Sequence, residues 1–298
     1  MDFNTLKTSH SNFDKLTKAL EANLNPEDVN KSSKDKYTDD RIWKPELDKT
    51  GSGYAVLRFL PATEKEEMPW VRVWSHAFQD KGGWYIENSL TTLNHKDPVS
   101  EDNTRLWNSG VESDKEIARK RKRKLSYYSN IMVVSDPAHP QNEGKVFIFK
   151  YGKKIFDKIT EAMQPAFEDE AAINPFDFWK GANFKLKIRK VDGYWNYDKS
   201  EFEPVKAIAE SDETIKAIWS KQYPLNPFLA PSNFKTYDEL KEKLNRVITG
   251  QRNTGTVENA ELPPAKTNGS VKSNSKTTQS ASDDDDTLSY FSKLADDE

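Results

Sequence analysis

Residues 184–189 read Phe-Lys-Leu-Lys-Ile-Arg, an apolar side chain alternating with a base at every step. A β-strand sends successive side chains to opposite faces, so this stretch predicts a strand with one buried face and one basic face. The same period of two runs through "YAVLRFLP" at 54–61 and "WVRVWSHAF" at 70–78. It returns in "YYSNIMVV" at 127–134 and "KVFIFKYG" at 145–152, on either side of the Pro-rich turn "SDPAHPQNEG". The glycines of "QDKGG" before "WYIE" predict a hairpin. A helix over 153–163 is predicted from Ile155, Ile159 and Met163, spaced to share one face. Strands do not alternate regularly with helices, which argues for a small β-barrel in an α+β chain over a parallel sheet.

Both ends of the 298-residue chain differ from this middle. In the N-terminal arm, residues 1–40, Phe13, Leu16, Leu20 and Leu24 predict a short amphipathic helix with Ser11 and Asp14 in a capping pattern. The core is expected at 41–250. Residues 88–118 show little periodicity and read as an inserted excursion. The core closes with a helix whose Thr236 and Glu239 form a capping box, whose stripe is Tyr237, Leu240, Leu244 and Val247, and whose stop is Gly250. Residues 251–282, rich in Ser, Thr, Asn, Gly and Pro, read as a linker. A tail at 283–298 carries acids around Leu288, Tyr290, Phe291 and Leu294.

Charge is divided accordingly. The formal net charge is −3, yet the tail holds seven acids and one base, while residues 119–190 hold sixteen bases and eight acids. A basic middle with an oppositely charged tail points to a nucleic-acid surface. The chain has no cysteine, which excludes disulfides, thiol nucleophiles and thiolate metal sites. No run of about 18 apolar residues is present, so a soluble, cytoplasmic protein is expected. There is no phosphate-loop motif and no G-x-S-x-G. Asp136, Glu143 and Lys145 are spaced as in some Mg²⁺-dependent nucleases, and read equally as a turn.

Binding without catalysis finds more. Six consecutive bases, 119–124, run directly into Leu125, Ser126, Tyr127 and Tyr128. Bases and aromatics also mix in "FIFKYGKK" and between "KLKIRK" and "YWNY", the last pair joined by a turn expected at Asp192–Gly193. Lysine and arginine neutralise phosphates, and aromatic faces stack on unpaired bases whatever their sequence.

The blocks "GYAVLRFLP", "SHAF…GGWYIE", "KRKLSYYSNIMVVSDPAHPQNEGKVFIFKYGKKIFDKI", "GANFKLKI" and "GYWNYDKS" resemble the single-stranded DNA-binding proteins of T-even-type bacteriophages. The resemblance covers roughly residues 43–200. It implies an OB-fold core (a five-stranded Greek-key β-barrel) that coats single-stranded DNA cooperatively in phage replication, recombination and repair, in the cytoplasm of the infected bacterium. The family's basic–hydroxyl motif falls on Lys122, Arg123, Lys124 and Ser126, with Leu125 where threonine is usual. Its cleft aromatics fall on Trp107, Tyr127, Tyr128, Phe149 and Tyr197; a further family tyrosine falls near Ile117, which has no ring. The family's arm motif for self-association has its nearest counterpart in Lys7, Thr8 and Ser9, with a single base. The family's zinc, held by one histidine and three cysteines, meets His76 but then Ser89, Asp97 and Ser100. Serine hydroxyls do not replace thiolates, so no structural zinc and no cofactor is expected, with His76, His95 and Asp97 left as weak metal ligands. Packing by Leu93, Leu106 and Trp107 would then hold residues 88–118.

The expected DNA-binding set adds Lys150, Lys153, Lys154, Lys185, Lys187 and Arg189 for phosphates, and Arg58 from the face of its strand opposite Leu57 and Phe59. Asp283, Asp284, Asp285, Asp286, Tyr290 and Phe291 are expected to meet replication and recombination proteins, and the acids could fill the basic cleft when DNA is absent. Alternatives are an RNA-binding translational regulator on the same fold, a Mg²⁺-dependent nuclease, and an assembly adaptor acting through its tail.

Overall fold

The computed structural model describes Phe3, Lys7 and residues 39–250 except 168, 192 and 193. The helix expected at 11–24, Thr8, Ser9, the turn at Asp192–Gly193, the linker and the tail lie outside the described residues. Nine strands share hydrogen-bonded connections: β1 (Ile42–Trp43), β2 (Gly53–Phe59), β3 (Trp70–Asp80), β4 (Gly83–Asn88), β5 (Lys124–Ser135), β6 (Val146–Tyr151), β7 (Phe184–Val191), β8 (Tyr194–Asn196) and β9 (Glu201–Phe202). The main path runs β1-β6-β5-β2-β7-β8, with β3 joining β5 to β4 and β9 lying against β7. Every pairing is antiparallel except β1 with β6. The helices are α1 (Pro98–Trp107), α2 (Glu112–Lys120), α3 (Lys153–Met163), α4 (Asp212–Trp219) and α5 (Tyr237–Thr249).

Strand β5 organises the molecule. Its residues 124–129 pair with β3, residues 127–132 with β6, and residues 131–135 with β2, where the register shifts between Val56 and Leu57. Its odd-numbered side chains Tyr127, Ile131 and Val133 enter the main core with Leu57, Phe59, Phe149, Tyr151, Phe184, Leu186 and Ile188. Helix α3 closes that core with the expected stripe of Ile155, Ile159 and Met163. The alternation of β7 is realised as read: Phe184, Leu186 and Ile188 are buried, while Lys185, Lys187 and Arg189 are half-buried on the other face.

A second cluster joins the β3–β4 hairpin to α5 through Phe78, Tyr85, Leu90, Val99, Phe234, Leu240, Leu244 and Val247. The Thr236–Glu239 capping box is reciprocal, and Gly250 ends α5 at φ 73°, a left-handed conformation that a Cβ disfavours. The aperiodic stretch 88–118 lies between β4 and β5 and contains regular elements. It forms a 3-10 turn at Leu90–Leu93 followed by α1 and α2. Both helices are short and mostly polar, so their apolar stripes are too sparse to show a period: α1 buries Pro98, Val99 and Leu106, and α2 only Ala118.

Candidate nucleic-acid interface

The six bases at 119–124 are not one loop. Arg119 and Lys120 form the last turn of α2, where cations complement the negative end of the helix dipole. Lys124 begins β5. Arg119 pairs with Glu112 at 2.6 Å and lies 5.4 Å from the Trp107 ring, which Lys115 also faces at 5.8 Å. Trp107, at 36% exposure, is thus the centre of a basic–aromatic contact between α1 and α2. Arg121 turns inward, and Arg123 lies over Trp74 at 4.1 Å.

From Lys124 onward the strand period sorts the side chains. Lys124, Ser126, Tyr128 and Asn130 share the face of β5 opposite the main core. Lys150 of β6 is in register with Tyr128 and places its ammonium 5.8 Å from the ring. Asn130 exchanges hydrogen bonds with the backbone of Tyr223, donating at 2.8 Å and accepting at 2.9 Å. Glu66 accepts from the backbone N–H groups of Leu225 and Asn226. These contacts fix the segment that carries Phe228, whose ring stacks on Tyr128 with centroids 4.4 Å apart. Beside the stack lies an open groove of about 540 Å³ lined by Asp39, Arg41, Val73, Asn88, Tyr128 and residues 227–233 in part. Arg41 clamps Asp39 through two bonds of 2.8 and 2.7 Å.

A second basic–aromatic strip lies on β2, β7 and β8. Tyr54, exposed, is in register with Lys187 and 5.9 Å from its ammonium. Lys190 stands 5.9 Å from the Trp195 ring, and Tyr194 is exposed beside it. Tyr197 and Trp195 are partly buried against the main core. Lys185 faces Glu201 and Glu203, each at 3.8 Å, so part of its charge is already balanced. Lys153 and Lys154 occupy the first turn of α3, which has no acid there and no capping side chain at Gly152. Cations at that position oppose the helix dipole, an arrangement that a phosphate would relieve. Lys153 bonds Asp157 at 2.8 and 2.7 Å.

Three expected site residues are corrected. Arg58 is fully buried and donates to the backbone carbonyls of Asp177, Phe178 and Lys206, so the face of β2 opposite Leu57 is covered rather than open. Burial pushes its pKa down to about 10, against the pull of Asp177. Gly181 permits this clasp, since a Cβ there would meet the Asp177 carbonyl at 2.3 Å and the Arg58 guanidinium at 2.8 Å. Tyr127 is 5% exposed and stacks on Phe156 with centroids 3.9 Å apart. Phe149, 3% exposed, packs edge-on against Trp43. Neither ring is placed to stack on a base.

The zinc expectation can be tested on the donors present. Asp97 spends both oxygens as the cap of α1: Oδ1 accepts from the N–H groups of Val99 and Ser100, and Oδ2 from Ser89 Oγ and the Leu90 N–H. His76 Nδ1 is 2.8 Å from the Arg121 carbonyl, which can only accept, so that nitrogen carries the proton. Only Nε2 remains, and it faces Asp97 Oδ1 at 3.4 Å. These residues do not fit zinc. Nor do they form the weak metal site expected with His95, because His76 and Asp97 are 1% exposed while His95 lies on the surface. Among the described residues no cluster of His, Cys, Asp or Glu is suited to a metal. Asp136, the leading carboxylate of the nuclease pattern, is buried and accepts from Trp43 Nε1 and the His139 N–H, while Glu143 accepts from the Asp136 N–H. That segment is built as a turn.

Sequence reading missed Tyr54, Trp74, Arg41 and Phe228. The exposed position of Tyr54 opposite Lys187 follows from β7 register, and Phe228 reaches Tyr128 across 100 residues, so neither was legible locally.

The family model described as "gp32 DNA binding protein like" matches residues 51–248. The chain belongs to this family. Two curated relatives named single-stranded DNA-binding protein, from Enterobacteria phages T2 and T4, are each 38% identical over 211 residues, covering 69% of either chain. A third of that name, from Escherichia phage SV14, is 46% identical over 50 residues, 17% of this chain and 44% of its own. The matched family segment runs from β2 into α5 and so contains the β5 face, the β7–β8 strip and the groove apart from Asp39 and Arg41. No described helix is long and apolar enough to cross a membrane.

Proposed function

We propose that this chain is a non-catalytic, sequence-tolerant single-stranded DNA-binding protein that coats DNA exposed in phage replication, recombination and repair. The observation that carries the reading is the β5–β6 face. Lys124, Ser126, Tyr128 and Lys150 converge there beside an aromatic stack and an open groove. Phosphates would meet Lys122, Lys124, Lys150 and the first turn of α3, and bases would stack at Tyr128 and Phe228. The strip of Tyr54, Lys187, Lys190 and Trp195 offers a continuation for a longer strand. An OB-type barrel is the architecture we assign to the sheet, supported by the way β5 leaves β3 for β2 around one apolar interior. The arm is proposed for self-association and the acidic tail for partner proteins. Lys7 pairs with Asp212, and Phe3 packs between Trp179 and Trp219.

A tryptophan-fluorescence titration tests the function. Tight binding to single-stranded DNA, weak binding to duplex and a log–log salt slope of about −0.7 per phosphate contact are expected. Equal affinity for duplex, or no salt dependence, would overturn the reading. Tighter binding to RNA than to DNA of equal length would assign the RNA-binding role instead.

A further inference from the structure

We infer that a buried polar node centred on Asp97, His76 and Arg121 positions the basic run for binding, doing without metal what a metal centre would do. Arg121 is 6% exposed although two bases precede it and three follow it directly in the sequence. Its guanidinium donates to Asp80 at 2.6 Å on the β3–β4 hairpin and to Asp102 at 3.2 Å on α1, and it lies 5.4 Å over the Phe78 ring. Its carbonyl accepts from His76 Nδ1 at 2.8 Å and from Asn103 Nδ2 at 3.1 Å. His76 in turn faces Asp97, whose carboxylate ties α1, the 3-10 turn and Ser89 together.

Both ends of residue 121 are therefore held, side chain and carbonyl, from two elements outside its own. The residues that follow have no choice of direction. With Arg121 fixed inward, Lys122 leads out of α2, Arg123 falls on Trp74, and Lys124 starts the face that carries Ser126 and Tyr128. A basic run on a loop would lose side-chain and backbone freedom on binding; one anchored at its third residue has lost it already. Arg121 is a positioning residue, and the phosphates belong to its neighbours. This inference rests on the reading of the β5 face as the single-stranded nucleic-acid interface.

The test uses the full chain, oligothymidylate as probe, and the variants Arg121→Gln, Lys122→Ala, Lys124→Ala and their combinations with Arg121→Gln. Arg121→Gln is expected to keep a cooperative thermal transition, lower affinity at least tenfold, and reduce the salt slope by about 1.4 or more, the value for two phosphate contacts. Added to Arg121→Gln, either lysine variant should cost much less than it does alone. Additive losses with a slope change of about 0.7 or less would mean that Arg121 touches phosphate itself and would overturn the inference. Unchanged affinity would overturn it too. Should Arg121→Gln fail to fold, Asn103→Ala removes one of the two bonds to the carbonyl and is expected to weaken binding in the same non-additive way; additivity there overturns the inference. Wild-type affinity should survive dialysis against a chelator, and its loss would contradict a metal-free node. A wild-type chain with no preference for single strands would instead sink the functional reading, a result separate from all of these.

Discussion

Tyr127 and Tyr128 are adjacent in sequence and face opposite ways across β5, one into the main core and one toward the groove. Tyr128→Ala is expected to weaken single-stranded DNA binding by about 1–3 kcal/mol, the worth of one base–aromatic stack, with the melting temperature nearly unchanged. Tyr127→Ala should do the reverse, destabilising the fold by about 3–5 kcal/mol as a large core truncation does. Calorimetry and titration of both variants read the two effects separately. Arg58 belongs with Tyr127: Arg58→Met would take the guanidinium donor from the Asp177 and Lys206 carbonyls, while that of Phe178 keeps the Ile208 N–H, and is expected to lower the melting temperature while folded molecules keep their affinity.

At the scale of elements, α3 carries two lysines where its dipole prefers anions. Replacing Lys153 and Lys154 together by glutamine should reduce the salt slope of binding by about 1.4 and leave stability equal or higher, measured by salt titration and urea unfolding. A stability loss with no slope change would remove α3 from the interface. Strands β5 and β7 and helices α3 and α5 were legible because each repeats its pattern long enough for a period to show. Lys185, Lys187 and Arg189 were placed on the outer face of β7 by that period alone. Helices α1 and α2 were illegible because Pro98, Val99 and Leu106 are too few to mark a face. Arg58, Tyr127 and Phe149 were misassigned for a different reason: a period of two separates faces, but which face a later segment will cover depends on tertiary packing. Residues 177–206 decide it for Arg58 and α3 decides it for Tyr127.

Among the described residues the large sheet meets a hairpin–helix unit at the Asp97 node, and charge sets the response of the molecule to solution conditions. Burial alone would push the Asp97 carboxyl up, yet the neighbouring His76 ring, the Ser100 N–H and the Ser89 hydroxyl outweigh it and lower the pKa to about 2. A folded pKa below the unfolded value of 3.8 means that the stabilisation is fully present above about pH 4 and is lost as pH falls toward 2. Urea unfolding at pH 7 and pH 3 should show that loss, and Asp97→Asn should shrink the difference. The proposed role of the tail is tested at the same scale. Removing residues 283–298 takes away seven acids and one base and turns the net charge from −3 to +3. Affinity for single-stranded DNA at low salt is expected to rise, and the gain to fade as salt screens the field.

The most direct test of the central claim is photo-crosslinking to an oligothymidylate carrying 5-iododeoxyuridine, followed by mapping of the modified peptides. The account predicts crosslinks at Tyr128 and Phe228, with Tyr54 and Trp195 joining them as the oligonucleotide lengthens. Crosslinks confined to the β4–α5 side, with none on β5 or on the segment carrying Phe228, would contradict it.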